Sequence, residues 1–340
     1  MRALPILDLS LLDGSAHDAA RFRDELRRAT HEVGFFYLVG HGLSGDLIDR
    51  MMATAHDFFA LPVEAKLAIE NTHSPHFRGY TRTGGELTQG ATDWREQIDI
   101  GAERDAVALA EGVPDFWALE GPNLWPAELP ALREVATEWM DRLGEISVTL
   151  LRSWAEALGA PADTFDAAFA GDAWPHLKIV RYPGREQTEG TQGVGAHKDL
   201  GVLTLLYVED GKGGLQVEKD GEWIDAPSVP GAFVVNIGEL LEIATNGYLK
   251  ATLHRVQSPE AGDARISVPF FFGPALDAEI PTIDLPAELA ASARGVTLDP
   301  DNPLHPVFGV NWLKSRVRSH PNVVEAHYPH WHSTRRLAPR

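Results

Sequence analysis

The segment GVGAHKDLGVLTLL places His197 and Asp199 two positions apart in a run of β-forming residues. Side chains alternate across a strand, so positions i and i+2 face the same way and bring an imidazole and a carboxylate into one space. His254 follows in TLHRV, a second β-like run. Two histidines and a carboxylate form the facial set that holds non-haem iron and leaves coordination positions open, as oxygen chemistry requires. A surface His–Asp pair has the same H-x-D spelling. Spacing alone does not single out the third ligand among 14 histidines.

The run RISVPFFF opens with a second chemical signal. By alternation Arg265, Ser267, Pro269 and Phe271 share one face. An arginine heading an apolar strand needs an anionic partner, because an unpaired buried charge is costly. A guanidinium grips a carboxylate through two parallel hydrogen bonds, and a neighbouring hydroxyl adds a third. On the strand pattern alone, a structural Arg–Asp pair at the strand end reads equally well.

The elements that must position these groups follow from periodicity. PILDLS reads as a short strand, residues 17–32 and 44–60 as helices, and GFFYLVGHGL (34–43) as a buried strand closed by glycines. Residues 72–128 carry many Gly, Pro and polar residues and read as loops with short strands. Leu132, Val135, Trp139, Leu143, Ile146, Leu150 and Trp154 step by threes and fours, which predicts one long helix over 132–158 with Gly159 as its stop. From residue 176, short β runs broken by turns predict a sandwich or barrel. Asn246–Gly247 reads as a turn before the strand bearing His254. A final helix is expected around 308–319, ending at His320–Pro321.

Composition narrows the function classes. A net charge of −19 argues against nucleic acid and anionic membrane as partners, since both need a positive field. The absence of cysteine excludes disulfides, thiolate zinc sites and iron–sulfur clusters, and fits a reducing compartment. No apolar run approaches the roughly 20 residues of a membrane span, and MRALPILDLS lacks the marks of a signal peptide. The expectation is a cytoplasmic enzyme acting on a small molecule, its oligomeric state left open.

Taken in order, GFFYLVGHGL, GYTRTGGELTQGATDWREQIDIG (79–101), KIVRYP, GAHKD, GGLQV, VVNIGELLEIATNGYLKATLHRV and RISVPFFF resemble the iron(II)- and 2-oxoglutarate-dependent oxygenases, in the isopenicillin N synthase-like branch. The resemblance covers nearly the whole chain. It implies a mixed, β-rich fold: a double-stranded β-helix (jelly roll) core with N-terminal and C-terminal helices packed around it. Residues 1–125 would form the N-terminal mixed region. Residues 126–340 would form the helix, the jelly-roll core and the C-terminal helix, all in one compact unit.

The same resemblance makes His197, Asp199 and His254 the metal ligands. It makes Arg265 and Ser267, with Tyr182, the residues that bind 2-oxoglutarate. Phe271 matches an apolar pocket residue. The cofactors implied are Fe(2+), 2-oxoglutarate as cosubstrate, and O2. The implied activity hydroxylates, desaturates or cyclises a small molecule while 2-oxoglutarate is decarboxylated to succinate. Lys198, between two expected ligands, departs from the family's usual residue and by alternation should point away from the metal. Isopenicillin N synthase keeps the Arg-x-Ser pair without using 2-oxoglutarate, so an oxidase needing no keto acid is the alternative. A non-catalytic binding protein on the same scaffold is another.

Candidate substrate residues are Phe271, Leu200, Lys178, Arg318 and Glu86. Lys178 shares a strand face with Tyr182, and Arg318 sits where a final helix can cover the site. Glu86 lies in a loop that borders the pocket in this family, and Leu200 adjoins a metal ligand. Together they suit a small polar substrate with an anionic group, met by Lys178 and Arg318, with Glu86 on the far side facing an amine or hydroxyl. His41 reads as structural.

Overall fold

Alternation and helical periodicity build the first layer. The computed structural model describes residues 3–170, 173–296 and 303–333. In it β1 (Ile6–Asp8) leads to α1 (Ala16–Glu32), β2 (Phe35–Val39), α2 (Gly45–Ala60) and the short α3 (Val63–Leu67). Ser15 and Asp18 form a reciprocal capping box that fixes where α1 begins. The polar stretch after them supplies β3 (Gly79–Thr81), β4 (Glu86–Thr88), β5 (Ala91–Asp93) and β6 (Glu96–Gly101). The long predicted helix is α4 (Ala131–Ala157), followed by Gly159 at φ 83°. Its stripe of Leu132, Trp139, Leu143, Leu150 and Trp154 is buried.

After the short α5 (Asp166–Phe169) come the strands that carry the chemistry. They are β7 (Trp174–Tyr182), β8 (Gln192–His197), β9 (Leu203–Val208), β10 (Leu215–Lys219), β11 (Glu222–Asp225) and β12 (Phe233–Ile237). Before β13 (His254–Gln257) the chain inserts α6 (Glu239–Ala244), where the sequence reading expected only a turn. The Asn246–Gly247 turn is present beyond it, both residues at positive φ. β14 (Arg265–Gly273), α7 (Ala287–Ala290), α8 (Phe308–Ser319) and α9 (Pro321–His327) follow.

The strands form two main sheets. The larger runs β1-β2-β12-β9-β14-β7-β6-β3 and the smaller β11-β10-β13-β8. Strands buried on both faces read as unbroken apolar runs, which explains GFFYLV and AFVVNI. Phe36, Leu38, Phe233 and Val235 join a core shared with the helices. Their alternates Phe35, Tyr37 and Val234 join Val180, Tyr182, Val194, Leu215, Val217 and Val256 in a second core shared by the two sheets. This is the expected jelly roll, built as two facing sheets, with helices against the larger one. Residues of the first 125 contribute to it directly, because β2 pairs with β12 and β6 with β7.

Candidate active site

The register of the smaller sheet sets the site. β8 ends on His197, β13 begins on His254, and the two are paired directly across strands. Their rings lie 4.2 Å apart, centroid to centroid. Asp199 follows β8 in a loop held from outside, since the Glu239 amide donates to the Asp199 carbonyl at 2.8 Å. Asp199 Oδ1 lies 3.5 Å from His197 Nε2 and 3.6 Å from His254 Nε2. Among the described residues, His197, Asp199 and His254 form the cluster able to hold a metal ion, their ligand atoms all within 4.8 Å of one another.

Hydrogen bonds prepare each ligand. His197 Nδ1 lies 2.8 Å from the Gly195 carbonyl and His254 Nδ1 3.0 Å from the Thr252 carbonyl. A carbonyl only accepts, so both Nδ1 atoms carry the proton and both Nε2 lone pairs are free to ligate. Asp199 Oδ2 accepts from Thr204 Oγ1 at 2.5 Å and Asn236 Nδ2 at 2.8 Å, which leaves Oδ1 facing the imidazoles. Burial, reinforced by His197, pushes His254 down to about 4, so it stays neutral. Burial acts to raise Asp199, but its interactions with the His254 and His197 imidazoles outweigh it and hold the carboxyl well below its usual range. Burial likewise acts to lower His197, and Asp199 overrides it upward. Two imidazole nitrogens and one carboxylate oxygen on a common centre fit iron(II).

The cluster opens on a cavity of about 910 Å³. Arg265, Ser267, Pro269 and Phe271 all line it, as alternation along β14 requires, and Tyr182 lies opposite Arg265 in register. The guanidinium of Arg265 is 1% exposed, yet none of its three nitrogens has a hydrogen-bond partner among the described residues. Its Cζ sits 4.8 Å from the centre of the Tyr182 ring. A buried cation with empty donors is a seat for an anion, here a carboxylate.

The substrate candidates also line the cavity, with one correction to their arrangement. Leu200 and Phe271 form half-buried walls, and Arg318 is exposed on α8. Glu86 and Lys178 do not face each other across open space. Lys178 Nζ donates to both oxygens of Glu86, at 2.8 and 3.0 Å, and Arg95 donates to Glu86 Oε2 at 2.7 Å. Two desolvated opposite charges on adjoining walls close onto each other, so Glu86 has no oxygen left for a substrate amine. Lys198 turns to Glu242 at 3.1 Å. His41 bonds the Gly231 carbonyl at 2.9 Å, a structural contact.

Sequence reasoning missed Thr204, Asn236, Arg95, Trp312 and Arg316. The last two carried a usable signal. Trp312, Ser315, Arg316 and Ser319 step by three and four along α8, and all line the cavity. Thr204 and Asn236 had none, because they reach Asp199 from β9 and β12, across the sheet.

Residues 4–128 match the family described as non-haem dioxygenase in morphine synthesis N-terminal, and residues 174–274 match the 2OG-Fe(II) oxygenase superfamily. The 2-oxoglutarate-dependent dioxygenase frbJ of Dothideomycetidae sp. (strain 11243) is 39% identical over 341 residues, spanning 95% of this chain and 91% of that protein. Homoarginine-6-hydroxylase 2-ODD-C23.1 of Arabidopsis thaliana is 35% identical over 309 residues, spanning 86% of this chain and 91% of that protein. A full-length Neurospora crassa protein, solved in complex with alpha-KG and thymine, superposes with a TM-score of 0.71 at 26% identity, covering 95% of this chain and 96% of that one.

A jelly roll with this metal cluster defines a non-haem iron oxygenase. The chain belongs to the 2OG-Fe(II) oxygenase superfamily, and within it is a 2-oxoglutarate-dependent dioxygenase. The keto-acid-dependent reading therefore holds over the oxidase that does without it. No helix among the described residues is long and apolar enough to cross a membrane.

Proposed function

We propose that this dioxygenase hydroxylates a small polar molecule in the cavity between the sheets, with His197, Asp199 and His254 as its only protein ligands to one iron and Arg265 and Ser267 as the clamp for 2-oxoglutarate. The observation that carries this reading is the Arg265 guanidinium, buried without a hydrogen-bond partner among the described residues, in the cavity onto which the His197, Asp199 and His254 cluster opens. Iron(II) bound there supplies, with 2-oxoglutarate and O2, the oxidising chemistry by which one oxygen atom enters a substrate C–H bond and the other enters succinate, with loss of CO2.

The chain's own residues do the rest by positioning. The Gly195 and Thr252 carbonyls keep the imidazole protons away from the metal face. Thr204 and Asn236 keep Asp199 Oδ1 pointed at it. Arg265 and Ser267 fix the far carboxylate of the keto acid, with the Tyr182 ring packed against the guanidinium. Leu200, Pro269 and Phe271 exclude water from the reacting region. Relatives support a small substrate: one is named for homoarginine, and the Neurospora crassa structure holds thymine.

Anaerobic reconstitution with Fe(II) and 2-oxoglutarate tests the reading. A visible metal-to-ligand charge-transfer band should appear on adding the keto acid to wild type. Asp199→Ala should abolish it with the fold intact by circular dichroism. A full band in both His197→Ala and His254→Ala would sink the ligand assignment.

A further inference from the structure

We propose that the wall formed by Lys178, Arg95, Arg316 and Trp312 is an anion subsite that receives a carboxylate of the primary substrate, separate from the Arg265 seat. This rests on the cavity being the oxygenase site described above.

All four residues line the cavity, and each is at least nine-tenths buried. Glu86 shares their wall, and with Asp93 and Asp99 behind it they form a closed network of charged groups. Its carboxylates are Glu86, Asp93 and Asp99, and every oxygen they have is already in use. Glu86 accepts from Lys178 and Arg95. Asp93 accepts through Oδ1 from the Gly195 amide and Gln192, and through Oδ2 from Thr88 and Arg95. Asp99 accepts through Oδ1 from His176 and Arg316 and through Oδ2 from Gln97. Lys178 also stands 3.6 Å from Asp99 Oδ1.

The donors are in surplus. Arg95 Nε and Trp312 Nε1 are buried without a hydrogen-bond partner among the described residues. Arg316 NH2 lies 3.0 Å from His176 Nε2, but that contact is not a hydrogen bond. Arg78 NH1 lies 3.2 Å from His176 Nδ1 and can only donate, so the imidazole proton sits on Nε2, which donates to Asp99 at 2.8 Å. Arg316 NH2 therefore also lacks an acceptor there.

Charge shows the same imbalance. Among the described residues of this network, Arg78, Arg95, Lys178 and Arg316 are four buried cations against the three buried carboxylates, with His176 neutral between them. Among the described residues Arg78 itself meets the His176 nitrogen, the Leu119 carbonyl and the Trp174 face. Glu120, whose charge also reaches Arg78, is paired with Arg104 at 2.6 Å. An uncompensated charge out of water is costly. An acceptor-only group from outside, carrying one negative charge, would satisfy the donors and neutralise the excess. A carboxylate does both, while an amide or hydroxyl leaves the charge. The cosubstrate's far carboxylate is not available for this role, because Arg265 has its own empty donors.

The test uses the anaerobic enzyme loaded with Fe(II) and 2-oxoglutarate, so that nothing turns over. A panel of amino acids, aromatic acids, aliphatic acids, amines and nucleobases is titrated by calorimetry, each acid paired with its primary amide. The bound acid should exceed its amide by about tenfold or more in affinity, the value of losing one charge-assisted contact. Trp312→Phe removes only the N–H donor. It should weaken the acid several-fold while leaving the 2-oxoglutarate Kd unchanged. Acids and amides that bind alike, a panel whose binders carry no anion, or no binder at all overturns the subsite. So does a Trp312→Phe protein that loses 2-oxoglutarate affinity. A charge-transfer band that forms normally in those cases leaves the oxygenase reading standing, and a band that never forms removes both.

Discussion

At the scale of single residues, Asp199 divides its two oxygens between the proposed metal site and the protein. Oδ2 is held by Thr204 and Asn236 at 2.5 and 2.8 Å, and Oδ1 is left for the ligand site. Removing either donor loosens the carboxylate and leaves Oδ2 with a single partner. Thr204→Val and Asn236→Ala should each weaken Fe(II) binding about 10- to 100-fold, the usual cost of losing an outer hydrogen bond to a ligand. Competition with a chromophoric chelator under argon measures this, and wild-type affinity in both variants would refute it. The sequence made the H-x-D and Arg-x-Ser groups legible because alternation along one strand puts each pair on one face. It could not show Thr204 and Asn236, whose partner lies on another segment. It also set Glu86 and Lys178 apart on opposite sides of the pocket, and only their 2.8 Å approach reveals that they pair with each other.

Among elements, α6 does most to hold the ligand loop. The amides of Gly238, Glu239 and Leu240 donate to the carbonyls of Val202, Asp199 and Gly201. The approach at Gly238 is close enough that a Cβ there would lie 2.0 Å from the Gly201 carbonyl oxygen. Gly238 has φ −94°, so backbone conformation is no obstacle and contact alone decides. Gly238→Ala should push the Asp199 loop outward, lowering Fe(II) affinity together with the melting temperature. A variant that keeps both would show that the loop has slack. This helix was invisible in GELLEIATNG because it is too short to repeat a hydrophobic period. β6 was hidden for a different reason. Its buried positions include Glu96, Gln97 and Asp99, so the strand lacks the apolar pattern that marks its neighbours. By contrast α1, α2, α4 and α8 announced themselves, since each presents one apolar stripe to a core.

For the whole molecule, the charged interior sets the response to acid. His320 is fully buried, and burial pushes it down to about 4. Its folded value lies below the unfolded one, so below pH 6.5 the unfolded chain binds a proton that the folded chain refuses. Stability therefore falls as pH drops from about 6.5 towards 4 and levels off beneath. His176, lowered by burial and by Arg316, pushes in the same direction. Asp99 is held well below its usual range, because Lys178 and Arg316 outweigh its burial, and its contribution is lost only in stronger acid. His320→Gln should flatten the decline between pH 7 and pH 5 by about 2 kcal/mol, from a shift of this size. Urea unfolding at the two pH values measures the difference, and parallel curves for variant and wild type would contradict it.

The empty donors of Arg265 also bear on how long the protein lasts. A ligand that binds only the folded chain stabilises it in proportion to the logarithm of its concentration, by about 2.7 kcal/mol at a hundred times its Kd. With the proposed seat at Arg265, the keto acid would supply the partner that this buried guanidinium lacks among the described residues. On that proposal the enzyme without 2-oxoglutarate should open more often and be cut sooner by proteases. Pulse proteolysis of the Fe(II)-loaded protein should show strong protection by 2-oxoglutarate, and Arg265→Met should be indifferent to it. Equal protection of both proteins would uncouple the enzyme's lifetime from its cosubstrate.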